Sequence, residues 1–317
     1  MILAADYSHL STHITMIQKD GIIIVDKDSG PSSFKVVEKI KGLTKAKKAG
    51  HAGTLDPFAS GVLVILLNQG TKLSSFLMSQ DKVYRAALRL GIETDTQDLT
   101  GRIIKIRHIG VLPEDTITEK TQQFVGTIKQ VPPVFSALHY KGRRAYELAR
   151  SGVAVDLEER EVRIEYINVL RVDLPTVWIE VCCSSGTYIR ALAADLGRSL
   201  GAGAHLTFLR RMHSGPFHVD DAFTVTQVSE YLFNNRVDDV IIPLKQALKG
   251  MMEVEISDAL ARKIRSGHKP NREELCGQNP SSLNSGDSLK AVVGEELVAV
   301  LEEDSDGYKI LRGFSHN

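Results

Sequence analysis

The sequence is poor in cysteine, has no net charge and contains no long apolar run. Only three cysteines occur in 317 residues, Cys182, Cys183 and Cys276, too few for a disulfide framework. Cys182 and Cys183 are neighbours, which puts their side chains on opposite faces of a strand, and all three read as reduced cytosolic thiols. Lys plus Arg and Asp plus Glu both total 39, so bulk positive charge cannot hold a nucleic acid. Any RNA or DNA must meet a local patch. The longest aliphatic run, Val62 to Leu67, falls far short of the roughly 20 residues that cross a bilayer. Met1 to Asp20 lacks a basic start followed by an apolar stretch, which predicts an untargeted, soluble, cytoplasmic protein with no membrane partner. What remains is ordinary globular composition, 43% hydrophobic and 25% charged, which excludes a disordered chain, a collagen-like repeat and a coiled coil.

The length predicts about two domains. Charge is divided accordingly: residues 251–317 carry a net −4, leaving +4 on residues 1–250. Within the first part, Lys35 to Lys48 holds six lysines against Glu38, and Lys141, Arg143, Arg144 and Arg150 stand against Glu147. Either cluster taken alone also fits a solvated helix face.

Periodicity predicts buried strands at Gly21 to Asp26 and Val62 to Leu67. It also predicts half-buried strands through Tyr84, Ala86, Leu88 and Leu90, and through Val177, Ile179, Val181 and Cys183. Ser32 or Ser33 can cap a helix with Val36, Val37, Ile40 and Leu43 on one face, and another helix follows Thr187. Strands outnumber helices and short turns join many of them, which favours α+β with a mixed sheet. Beyond Pro243 to Gly250, short strands at Leu289 to Val293, Leu297 to Leu301 and Tyr308 to Leu311, with a turn at Gly286-Asp287, predict a small β-rich domain.

The most unusual stretch is Gly50-His51-Ala52-Gly53-Thr54-Leu55-Asp56-Pro57. Two glycines and a proline around one aspartate describe a loop that presents a carboxylate. From these residues alone a turn or cap role for Asp56 remains open. A metal pair with His51 lacks the third and fourth ligands at recognisable spacing.

This octapeptide is followed by Asp81-Lys82-Val83-Tyr84, Gly91 to Asp98 and Ser184-Ser185-Gly186-Thr187-Tyr188-Ile189-Arg190. Between them and after them stand Gln130-Val131-Pro132-Pro133, Ser136-Ala137, Gly142-Arg143, Tyr146, Gly203-Ala204-His205 and Leu209-Arg210-Arg211. Together and in order, over Gly21 to Phe217, they resemble the TruB-type tRNA pseudouridine synthases. Three positions depart from that pattern: Lys27-Asp28 replaces a Lys-Pro step, and His139 and Ser185 replace lysines. The two lost lysines imply a weaker grip on phosphate, and Asp28 alters the turn that would aim Lys27.

The resemblance implies a pseudouridine-synthase fold with a central mixed, mostly antiparallel sheet over residues 1–250, followed by a PUA-like RNA-binding domain over 251–317. The implied reaction is isomerisation of the T-loop uridine of tRNA, with base flipping and without cofactor or metal. A carboxylate suits this chemistry because it can engage C1′ or the base, or assist proton removal, and later leave. Asp56 takes that role by resemblance, Arg190 pairs with it to keep it ionised, and Tyr84 faces the uracil. For the latter two, a surface ion pair and a core tyrosine are the plain structural alternatives. His51 fills the space the base vacates, Tyr188 and Leu209 line its pocket, Lys27 is a further contact to the substrate, and Arg211 supports RNA or the loop. Flipping costs a few kcal/mol, against about 1–3 kcal/mol gained per stacked base. Pro132 to Val155, with Arg143 and Arg144, resembles the inserted segment that closes over the T arm. The partner implied is tRNA alone, bound by a monomer without a protein partner. A guide-RNA-dependent, dyskerin-type synthase and a non-catalytic RNA-folding module are the rival readings.

Overall fold

The computed structural model describes residues 19–275 and 287–316, apart from 137, 141, 152 and 154. The expected turn at Gly286-Asp287, the thiol Cys276 and the start of the chain therefore lie wholly or partly outside the described residues.

Residues 21–214 are built around one twisted sheet. Its seven principal strands, in chain order, are β1 (Gly21–Lys27), β2 (Ser60–Leu67), β3 (Lys82–Leu90), β4 (Gly126–Gln130), β5 (Arg160–Asp173), β6 (Thr176–Cys183) and β7 (Ala204–Ser214). In space they run β1-β2-β7-β3-β6-β5-β4. Every pairing is antiparallel except that of β7 with β2, where Arg210 lies beside Ser60 and Arg211 beside Gly61. The sheet is mixed and mostly antiparallel, as expected.

Burial explains the two kinds of strand pattern. In β1 and β2 both faces are covered, so the sequence reads as unbroken aliphatic residues. Ile23, Val25, Leu63 and Ile65 join the core under the helices, while Ile22, Ile24, Val62 and Val64 join a second cluster on the reverse side. Strand β3 is more fully covered on one face, so Tyr84, Ala86 and Leu88 point into the core, while on the other face Arg85 and Arg89 are exposed around the buried Ala87.

Helix α1 (Ser33–Thr44) buries Val36, Val37 and Ile40 and is capped by Ser32, whose side chain accepts from the Lys35 amide. Leu43, partly buried, packs against the same core, and Thr44 is buried beside it. Helix α2 (Ile189–Ser199) covers the middle of the sheet through Ile189, Leu192, Ala193 and Leu196. A four-stranded sheet formed by Met252–Glu255, Ser288–Val293, Glu296–Asp304 and Gly307–Gly313 makes the small C-terminal β unit. Its Val292, Leu297, Val300 and Phe314 pack on the reverse side of β1 and β2, and Ser315 donates its amide to Gln69 Oε1 at 2.9 Å.

Candidate active site

Asp56 sits in the loop that connects the strand Ala49–His51 to β2, close to the start of α2. That loop is fastened along its backbone. Arg211, 1% exposed, directs Nε to the Val62 carbonyl at 2.7 Å and its terminal nitrogens to the carbonyls of Gly53 (3.1 Å) and Thr54 (3.4 Å). Ser33 Oγ accepts from the Leu55 amide at 2.8 Å and donates to the Leu55 carbonyl at 2.9 Å. Lys27 Nζ donates to Pro57 (3.2 Å), Pro31 (2.9 Å) and Asp28 (2.8 Å), and the Gly30 amide also reaches Pro57 O at 2.7 Å.

Two glycines make this approach possible. Gly61 has φ +101°, and a Cβ there would meet the Arg211 carbonyl at 2.2 Å. Gly53 has φ +112°, a region side chains disfavour.

Arg190, in the first turn of α2, reaches across to the loop. Its Nε lies 2.9 Å from Asp56 Oδ2 as an ion-pair contact without hydrogen-bond alignment, while one terminal nitrogen donates to Asp56 Oδ1 at 3.3 Å. The guanidinium is 4% exposed and has further partners in Asp98 Oδ2 (3.4 Å) and the carbonyls of Thr96 (3.1 Å) and Phe135 (2.9 Å). Asp98 is itself held by the Thr96 hydroxyl at 2.7 Å and by the Thr100 hydroxyl and amide at 2.6 and 2.9 Å. A buried guanidinium with two carboxylates and two carbonyls has a fixed plane, and with it the Asp56 rotamer is fixed.

Burial raises the Asp56 pKa above its ordinary value, and Asp98 adds to the rise; Arg190 and Lys27 oppose it without cancelling it. The ion pair therefore limits the upward shift rather than holding the carboxyl below the usual range. Burial also raises the Tyr84 phenol, so this residue is neutral near neutral pH. His51 is lowered by burial and by Arg211 and is a neutral imidazole there as well. Its Nδ1 is buried without a hydrogen-bond partner.

The structure brings Asp56, Arg190, Lys27 and Arg211 together, but the last two turn inward. Lys27 is 0% exposed among three carbonyls, with its pKa lowered to about 8 mainly by burial. Neither side chain faces a solvent-borne phosphate. The turn after Lys27 is held by Ser29 Oγ, which donates to Phe58 O at 2.8 Å, and by the Gly30 amide on Pro57 O. Leu209 is buried on β7 beside Ala86. Tyr188, the residue before α2, exchanges two hydrogen bonds with the Gln130 amide group, at 2.8 and 3.1 Å. Arg143 is exposed on the hairpin formed by His139–Tyr140 and Arg143–Arg144, away from these contacts, and the Arg144 side chain lies outside the described residues. Asp98 and Gln130 have no site role in the sequence pattern, although both belong to quoted motifs and the threonines near Asp98 were a usable signal; Ser33, a candidate helix cap, clamps Leu55 instead while Ser32 caps α1. Among the described residues no group of three His, Cys, Asp or Glu side chains could hold a metal.

Comparison with known proteins settles the family. The model of the TruB family pseudouridylate synthase N-terminal domain matches residues 41–189, and that of the tRNA pseudouridylate synthase B C-terminal domain matches 190–249. The chain belongs to the TruB family. As a TruB family member it is an RNA uridine isomerase. A TruB relative from Syntrophus aciditrophicus, named tRNA pseudouridine synthase B, is 43% identical over 89% of this chain and 90% of its own. One of the same name from Geobacter sulfurreducens is 37% identical over 93% of this chain and all of its own. Among solved structures, a Cbf5-Nop10-Gar1 complex aligns over 95% of this chain and 88% of its own with a TM-score of 0.73 at 28% identity. An H/ACA RNP bound to a substrate RNA containing 2′-deoxyuridine aligns over 93% of this chain and 84% of that chain, with a TM-score of 0.70 at 28% identity.

Proposed function

We propose that this TruB family member isomerises the T-loop uridine of tRNA to pseudouridine, with Asp56 as the reacting carboxylate. The N1–C1′ bond breaks, the uracil turns, C5 bonds to C1′, and the C5 proton is lost while N1 regains one. The balance needs no oxidant, metal or organic cofactor. The observation that carries the reading is the two-point contact of buried Arg190 with Asp56, at 2.9 and 3.3 Å, beside a gap that leaves the Asp56 side chain 32% exposed.

Asp56 acts at C1′ or on the base, and Arg190 orients it. Tyr84, neutral and set in β3, supplies a ring face for the flipped uracil and a phenol near the C5 proton. Tyr188 and Leu209 line the pocket, and His51 occupies the vacated stack. Lys27 and Arg211 serve the loop rather than the RNA. The hairpin carrying Arg143 and Arg144 closes over the T arm, and its base is tied to the site through the Phe135 carbonyl on Arg190. Residues 1–250 form the catalytic domain, with residues 132–155 as the insertion, and 251–317 form a PUA-like RNA-binding domain. The protein works as a cytoplasmic monomer.

Relatives matched over 90% or more of their length and named as tRNA enzymes support tRNA as substrate. They favour it over the guide-dependent and non-catalytic readings. Incubating unmodified tRNA with the purified protein alone, then mapping pseudouridine, tests this: a single modified T-loop uridine is expected. Binding without turnover would favour the non-catalytic module.

A further inference from the structure

Helix α1 turns a solvent face beside the active site that the reaction leaves unassigned. Phe34 is 67% exposed there, the most exposed phenylalanine among the described residues. A lone surface phenylalanine is ordinary; its setting is what distinguishes this one. Ser33, its neighbour, is hydrogen-bonded in both directions to Leu55, the residue before Asp56. Phe34 and Asp56 are thus each one Cα step, about 3.8 Å, from the same backbone clamp.

The rest of the face is basic. On the helix Lys35 and Lys39 are exposed and Lys41 is half-buried, with Glu38 as the acid among them, and Lys45, Lys47 and Lys48 are exposed just past its C-terminal end. Among the described residues none of these six forms an ion pair; the paired lysines are Lys19, Lys245, Lys263, Lys290 and Lys309. An unpaired cationic stripe headed by an exposed ring, continuous with the loop that carries Asp56, matches the two surfaces of RNA: phosphates for the lysines and a base face for the ring.

We infer that the outer face of α1 and the segment that follows it are a substrate-RNA contact, with Phe34 stacking on a base close to the isomerised uridine and the lysines from Lys35 to Lys48 following the adjoining backbone. The inference rests on the tRNA reading above for the identity of the RNA. Phe34 adds apolar contact, so its removal leaves ionic contacts unchanged, whereas removal of lysines changes the count of phosphates neutralised.

The test is binding of unmodified tRNA transcript to Phe34→Ala, Phe34→Trp and the double variant Lys35→Ala, Lys39→Ala, titrated at several salt concentrations with thermal melting alongside. Phe34→Ala should bind about tenfold more weakly, in the range of one lost base stack, with wild-type salt slope and melting temperature. Phe34→Trp should restore affinity. The lysine pair should flatten the slope of log affinity against log salt by about one to two units. Phe34→Ala binding within twofold of wild type overturns the inference, as does a loss that follows a lower melting temperature. Pseudouridine formation by wild type in the same tRNA separates the two readings. Turnover with an indifferent Phe34 removes this surface alone. A Phe34-dependent complex without turnover keeps the surface and removes the tRNA-isomerase assignment.

Discussion

Asp98 holds Arg190 by one terminal nitrogen, at 3.4 Å, while Asp56 takes its Nε and other terminal nitrogen, so two carboxylates 42 positions apart share one guanidinium. With Asp56 as the proposed reacting group, Asp98 acts through Arg190 as a positioning residue. Asp98→Asn should lower the single-turnover rate at saturating enzyme while leaving tRNA affinity near wild type. Arg190→Lys keeps the charge but loses the planar fork, and should behave likewise. A fall in affinity with an unchanged single-turnover rate would reassign Arg190 to phosphate binding.

Asp56→Asn should retain tRNA binding and lose at least ~10³-fold in rate, about 4 kcal/mol of barrier. Quantifying pseudouridine in a single-turnover time course reads this, and near wild-type turnover would remove Asp56 from the chemistry.

The raised pKa of Asp56 gives the same variant a stability signature. The folded protein binds this proton more tightly than the unfolded chain, so the associated stability is present at low pH. It is lost as pH rises through the folded-state value. Asparagine keeps the neutral form at every pH. Asp56→Asn should therefore match or exceed wild-type stability at neutral pH, with the advantage shrinking in acid. Denaturant titrations at several pH values check this, and a neutral-pH loss in Asp56→Asn contradicts the sign.

Ser33→Ala strands the Leu55 amide and carbonyl, a cost of about 1–3 kcal/mol for a buried group without its partner. It should lower kcat more than it raises KM, since the loop rather than the RNA surface is disturbed. Gly61→Ala is harsher: its Cβ would overlap the Arg211 backbone, and a loss of about 3 kcal/mol or more is expected from strain and overlap together. Wild-type melting of Gly61→Ala would refute the close contact.

Activity should survive EDTA and dialysis, because the isomerisation is balanced by proton transfers alone. Rescue by one divalent ion beyond its effect on tRNA folding would contradict this.

Much of this was legible in residue types. The strands beginning at Gly21 and Ser60, and the helix after Thr187, announce themselves by apolar period, and the glycines around Asp56 announce a loop that must be approached closely. The cations were less legible. Lysine and arginine near a nucleic-acid site read as phosphate contacts, yet Lys27 and Arg211 end among backbone carbonyls. Which way a long cationic side chain turns depends on where carbonyls lack partners, and that is settled only when distant strands meet. Asp98 was hidden for a related reason: its partner lies 92 positions along the chain.

The fastening of residues 53–57 has a consequence for where binding energy goes. A loop tied at the carbonyls of Gly53, Thr54, Leu55 and Pro57 has already surrendered its conformational entropy during folding, so docking of RNA extracts little more from it. The disorder given up on association then comes from the RNA. Stiffening the substrate, by pre-unstacking the target base, should tighten binding more than any further stiffening of the enzyme around Asp56.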